Sequence, residues 1–490
     1  MASPTGDVSP VPFYARFTFQ LLIFYNINCK KYVIGAPRPR LNGMILQDWW
    51  YTTLLGTSMP IEPPLKGDVT TDIAIVGGGA AGLAAALRLM DSGKRVVLVE
   101  RNICGGSSTG RSAGFLTPDS ELELSQLMRR FGVEGAKDLW GVPVKGIDIM
   151  LSAIAKFGIG CDLVKQDSLF LGKGSGGWKD VKSEAESRKR LGFDYTLYDS
   201  EEVGEILGSA GYSGAVRYQN TYGVDGLRYA QGMKKVLQDH GVKIFESSEV
   251  VSVQGHSLKT HMGTVSADRI IFCADKIKPA LSSYSWNVYH AQTFLSVSEP
   301  LSDGEVAAMF PSGRFQCWDS DLVYTYFRLT GANRLLVGGG TAWTTYARDD
   351  TTSPRVMEQV IHGFREKFPI LKDLEFIQYW PGRIDMTRDL LPTVLKVPGA
   401  PWIHFVLGCV GLPWATFCGD FVAERVLEEK EVASDARKYH RYFAIDRGFL
   451  LPLWAERIFG KRIVFTVNTA WAKYYQVDRN KSIGTSPSDW

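Results

Sequence analysis

Apolar positions change their spacing sharply near residue 70. Thr71–Val76 (TDIAIV) is a short, β-branched run and reads as a strand. It stops at GGGAAG, and the small-residue run LAAALRLMDSG that follows has helical character. RVVLVE then reads as a second strand ending on Glu100, so strand, helix and strand fit in about 30 residues, the size of a βαβ unit. Later, Tyr229–His240 predicts a helix, and Val242–Glu246, Val250–Val253 and Arg269–Ala274 predict strands. Tyr324–Leu329 and Arg334–Gly338 predict a hairpin or adjacent strands around Gly331–Asn333, and Thr416–Lys430 an amphipathic helix. Residues 35–68, rich in Pro and Gly, read as an extended lead-in. The mixture predicts an α/β fold with an added, more antiparallel domain, and no internal repeat is present.

The glycines carry the first chemical signal. Gly77, Gly79 and Gly82 form G-x-G-x-x-G between a strand and a helix. In that setting the first allows a tight turn, the second close approach of a pyrophosphate, and the third close packing of helix on strand. Ala80 and Ala81 open the helix, whose free N–H groups and dipole favour phosphate. Glu100 ends the second strand, where a carboxylate suits a ribose diol. This unit alone does not separate FAD from NAD.

Composition narrows the function classes. The chain has 490 residues, enough for two domains, with a formal net charge of +3 spread over both signs. That excludes a nucleic-acid footprint. Seven scattered cysteines without a CxxC pair predict a reducing compartment, cytoplasmic or mitochondrial, and no metal site is expected. Phe13–Ile27 is an aromatic, apolar run too short for a comfortable membrane span and unlike a secretory signal. It reads as a packing arm, an interface segment, a surface anchor or an unusual gene start.

Gly105–Leu116 (GGSSTGRSAGFL) adds a second small-residue loop directly after Glu100. With it the chain resembles the D-amino-acid oxidase superfamily, in its glycine oxidase, sarcosine oxidase and gamma-glutamylputrescine oxidase branch. The resemblance continues through Val250, Glu299–Leu301, Tyr326–Arg328, Arg334–Gly340, Trp380–Arg383, Asp389–Pro392, Gly408–Leu412 and Tyr474-Tyr475 with Asp478. It implies FAD, with Arg101, Ser107, Ser108, Arg111, Ser112, Ala113 and Gly114 near its phosphates and ring; the absence of a cysteine from Asp373 to His404, where some relatives attach the flavin, predicts non-covalent binding. Val250, Ala274, Gly382, Gly408, Gly411, Leu412 and Pro413 complete the expected cofactor set. The usual Gly-His-Gly of the family is Gly411-Leu412-Pro413 here, and Pro413 lacks an N–H for the flavin's pyrimidine edge.

The resemblance implies a Rossmann-like FAD-binding domain at 69–118, 225–290 and 379–430. A mixed, largely antiparallel substrate domain is expected at 119–224 and 291–378, between an N-terminal extension (1–68) and a C-terminal one (431–490). The implied reaction oxidises the C–N bond of a small-molecule amine or amino acid, with oxygen or another acceptor taking the electrons. Arg328, Arg383 and His290 are the candidates for contact with the substrate. A second reading is a flavoprotein-like structural or assembly subunit, its N-terminal arm and aromatic, basic C-terminal extension meeting a membrane surface or protein complex.

Overall fold

The computed structural model describes the chain from Gly43 to Tyr474, apart from residues 58, 120, 342–345, 348–350, 428–433, 448–450 and 453. The aromatic run at Phe13–Ile27, and Tyr475 and Asp478 of the tail, lie outside the described residues.

Two large sheets organise the described chain. In the eight-stranded sheet, Gly67–Val76 lies between the parallel strands Val96–Val99 and Gly263–Phe272. Lys243–Phe245 extends one side in parallel, and Ala400–Leu407 joins Gly263–Phe272 on the other. Strands buried on both faces can be apolar throughout, which is why TDIAIV and VVLV alternate so little. The helix Ala80–Leu89 packs on this sheet through alanines, and Leu412–Leu427 packs against that helix. Gly419 makes their contact close, since an added Cβ would overlap the Ala81 carbonyl.

The nine-stranded sheet is built around the antiparallel strands Tyr289–Pro300, Arg334–Gly339, Tyr326–Leu329 and Phe315–Asp319. The expected hairpin around Gly331–Asn333 is present. Residues 379–386 belong to the strand Phe376–Met386, which pairs antiparallel with Tyr289–Pro300. Pro381 and Gly382 disguise this strand in the sequence, because both are poor strand formers.

The long helical segment Leu124–Phe157 is broken at Gly132, where φ is +74°. It covers Leu412–Leu427, and Gly146 lets the Pro413 carbonyl come close. Helices Ala455–Phe459 and Lys461–Tyr474 follow at the end of the described chain.

Candidate functional site

The parallel strands end in a cleft with about 1100 Å³ of empty space, counted out to its open mouth. The three motif glycines divide the labour. Gly77 donates to the Val99 carbonyl at 2.9 Å and holds φ at +107°. An added Cβ there would sit 2.8 Å from the Cys273 carbonyl, so turn and packing both demand glycine. At Gly82 a Cβ would overlap the Gly77 carbonyl, making this the helix–strand contact. Gly79 faces the cleft and meets only the Thr109 hydroxyl, 3.3 Å from its would-be Cβ. As N-cap it offers no side chain to the first-turn amides, although Ala80 N–H reaches the Thr109 hydroxyl at 3.0 Å. The helix start therefore presents polar donors to the cleft without a built-in carboxylate competing for them.

Around this turn the structure brings together Gly77, Gly79, Ala80, Ala81, Glu100, Arg101, Ser107, Ser108, Val250, Ala274 and Gly408. Glu100 accepts from Gly78 N–H at 2.7 Å and Asn102 N–H at 2.9 Å. Burial pushes its carboxyl above the usual range, against the pull of these two bonds. Asp275 was not anticipated from sequence, yet it centres the opposite wall. It accepts from Ser108 and from Ser107 (3.1 Å), pairs with Lys276 at 2.6 Å, and lies 3.3 Å from Arg101. Burial would raise its pKa, but Lys276, Ser108 and Arg101 bring it down to about 2. Thr109 and Lys276 were likewise missed. Neither belongs to the glycine motif, and only the fold brings position 276 beside the loop at 107–109.

The rest of the small-residue loop is pinned rather than open. Four successive carbonyls each receive a different donor: Arg111 from Trp380 Nε1 (3.0 Å), Ser112 from Trp50 Nε1 (2.8 Å), Ala113 from Arg328 Nε (2.5 Å) and Gly114 from Val224 N–H (2.9 Å). Gly382 passes close by, its would-be Cβ 3.5 Å from the Arg111 carbonyl. Phe115 continues the loop into aromatic contact with Tyr326 and Trp318, at 6.1 and 6.4 Å between ring centroids.

Arg328 also holds this loop. It is fully buried, and its guanidinium also donates to the Leu329 and Val224 carbonyls at 2.9 and 2.7 Å. Burial lowers its pKa to about 10, so it stays charged at neutral pH while tying loops together. It does not line the cleft. Arg383 presents its carbonyl to the Ser108 hydroxyl at 2.8 Å. His290 contacts Asp385 at 2.8 Å, and Asp385, not His290, reaches the cleft wall, where it accepts from Lys276 N–H at 2.6 Å. Leu412 and Pro413 occupy the first turn of Leu412–Leu427, where the missing N–H of proline breaks no helical bond. Gly411, Leu412 and Pro413 lie beyond the cleft lining at Gly408 and Cys409.

A family model described as FAD dependent oxidoreductase matches residues 72–425, most of the chain. The chain belongs to this family. A probable oxidoreductase, OrdL, of Haemophilus influenzae is 29% identical over 383 residues, covering 75% of this chain and 86% of that relative. The gamma-glutamylputrescine oxidoreductase of Escherichia coli strain K12 is 26% identical over 337 residues, covering 67% and 77%. The crystal structure of glycine oxidase from Geobacillus kaustophilus superposes with a TM-score of 0.67 at 20% identity, over 78% of this chain and 99% of that one. That last likeness is one of fold.

FAD is thus the cofactor of this oxidoreductase, and its cleft fits a dinucleotide on independent grounds. Gly79 leaves room where any side chain would intrude, and as N-cap it sets no side chain of its own over the first-turn amides. Gly79, Ala80, Ala81, Ser107 and Ser108 would hold the phosphate portion, with Glu100 and Val250 along the adenosine side.

Proposed function

We propose that this FAD-dependent oxidoreductase oxidises the carbon–nitrogen bond of an amine or amino acid. The supporting observation is the continuity of the cleft wall at Ser107–Thr109 with the pinned loop Arg111–Gly114 and then with the aromatic wall at Phe115 and Tyr326. Bound FAD supplies a two-electron acceptor for hydride from the carbon beside a neutral amine nitrogen. The chain's own residues orient and enclose the substrate. Tyr326, its hydroxyl 3.3 Å from that of Thr293, has its pKa pushed up to about 12 by burial, so it is an uncharged wall at neutral pH. Phe115 and Trp318 extend that wall and exclude water from the reacting carbon. The resulting imine hydrolyses in water to a carbonyl compound and the released amine. Anaerobic mixing with a panel of amines and amino acids tests the reading: one class should bleach the flavin absorbance, and in air yield one hydrogen peroxide per imine if oxygen is the acceptor. A flavin that stays oxidised with every compound overturns it in favour of a structural subunit.

The FAD is held without a covalent bond in this proposal. Among the described cysteines, Cys273 and Cys409 line the cleft, and burial pushes the Cys273 thiol far up, making a thiolate unavailable for attack on a flavin. Acid precipitation should leave all yellow colour in the supernatant.

A membrane contact completes the reading. Trp454, Ile458, Phe459 and Ile463 are each more than half exposed, on helices that also expose Arg457 and Arg462. No helix among the described residues is long and apolar enough to cross a membrane. Apolar anchors among basic side chains suit the surface of an anionic bilayer.

A further inference from the structure

Beyond Phe115, a second pocket lies over the nine-stranded sheet, between the entry to Leu124–Phe157 and the end of Lys461–Tyr474. Its walls include Asp119, Glu121, Glu123, Trp318, Tyr324 and Lys473. Two of the acids have partners. Glu123 accepts from the Tyr218 hydroxyl at 2.6 Å and from the Trp318 indole at 2.9 Å. Glu121 accepts from the Tyr324 hydroxyl at 2.9 Å and stands 3.6 Å from the Lys473 ammonium.

Asp119 is different. It is 9% exposed, lines the pocket, and its buried Oδ1 has no hydrogen-bond partner. Burial, then Glu123 and Glu121, push its pKa well above the carboxylate range. A buried, unsatisfied acid beside two further acids is costly unless a positively charged donor arrives. Among the described residues no group of acids, histidines and cysteines converges tightly enough to hold a metal ion. The aromatic faces instead suit an organic ammonium, and Lys473 already places one 5.6 Å from the Tyr324 ring centroid. A continuous aromatic wall joins the pocket to the reacting region: Phe115 touches Trp318 and Tyr326, and Tyr326 touches Tyr324 at 5.8 Å between centroids.

We propose that this pocket holds the protonated amino group at the far end of a diamine-type substrate whose other nitrogen is the one oxidised. The inference rests on the amine-oxidising reading and names its substrate class: an alkyl chain of a few carbons, cationic at the end away from the flavin. The chain lies along Phe115, Tyr326 and Trp318, and Asp119 receives the ammonium N–H.

The test separates binding from oxidation. The probe is putrescine with two methyl groups on each nitrogen-bearing carbon, which leaves no hydrogen there to transfer. Calorimetric titration of the holoprotein should show this diammonium binding roughly ten- to a hundredfold more tightly than the matching monoamine, the range expected for one charged hydrogen bond. Asp119→Asn should erase the preference, and the probe-free protein should melt no lower than wild type, because no bond is lost. Glu121→Gln, on another wall, should reduce the preference if the first variant does not fold. Equal binding of diammonium and monoammonium, or a preference that survives both substitutions, overturns the subsite. Tight, Asp119-dependent binding of the probe with no flavin bleaching by any oxidisable amine would leave the subsite standing and overturn the oxidation reading.

Discussion

Gly79 and Gly82 sit three positions apart, and their environments predict opposite defects. Gly79→Val places two methyls where the cleft needs space, while its Cβ meets only a movable hydroxyl. The variant should fold, melt near wild type without cofactor, and purify colourless. Gly82→Ala forces a methyl into the Gly77 carbonyl, so the helix must shift, a cost of about 1–3 kcal/mol that lowers the melting temperature of the apoprotein itself. Calorimetry and the absorbance ratio of flavin to protein would separate the two, and a yellow Gly79→Val protein would contradict the phosphate placement. At this scale the sequence was most readable where a motif dictates backbone geometry, as at Gly77 and Gly82. It was least readable for charged side chains. For Arg328, nothing in its neighbours along the chain reveals that Ala113, Val224 and Leu329 turn their carbonyls towards it. Asp275 escaped notice for the same reason, its partners Ser107 and Ser108 lying far away in sequence.

Elements of the parallel sheet were foreseeable because each is short, apolar and flanked by breakers. Even there the edges moved: the strand expected at Val250–Val253 forms at Ser252–Gln254, leaving Val250 free to line the cleft. The interrupted segment Leu124–Phe157 was not foreseen, since Gly132 and Pro143 disturb its helical periodicity. The pinned loop is where elements meet function. Arg328→Lys keeps the charge but cannot reach three carbonyls in a fixed fork, leaving at least one acceptor buried and unsatisfied. The expected loss is about 2–4 kcal/mol of stability together with weaker FAD retention, read by thermal melting and by titration of the apoprotein. A substrate-binding arginine would behave otherwise, raising KM for carboxylate-bearing substrates at unchanged melting temperature.

Over the whole molecule, Asp389 joins three distant parts of the chain. Arg130 meets it at 2.6 Å and Arg447 at 2.8 and 3.0 Å, all three side chains being almost fully buried. Burial alone would raise the Asp389 pKa, but Arg447 and Arg130 overcome it and hold the carboxyl far below the usual aspartate range. A depressed pKa means stabilisation that is present above the unfolded value of about 3.9 and lost as pH falls towards the folded value. Asp389→Asn should therefore cost about 3–5 kcal/mol at neutral pH, and its melting temperature should converge on that of wild type as the pH drops below about 4. On the outer surface, Ile458→Glu with Phe459→Glu should abolish flotation with phosphatidylserine vesicles while leaving flavin content intact; unchanged flotation would reject the membrane contact. The cleft walls have one more consequence, in the order of events during synthesis. They combine Gly77 and Thr109 with Phe272, Asp385 and Ala415, so the first-made wall waits for the last. Between Thr109 and Ala415 lie roughly 300 residues, or about 15–60 s of translation at typical rates. The nascent glycine turn therefore leaves the ribosome long before its opposite wall exists, and the complete flavin cleft cannot form until Ala415 has been made.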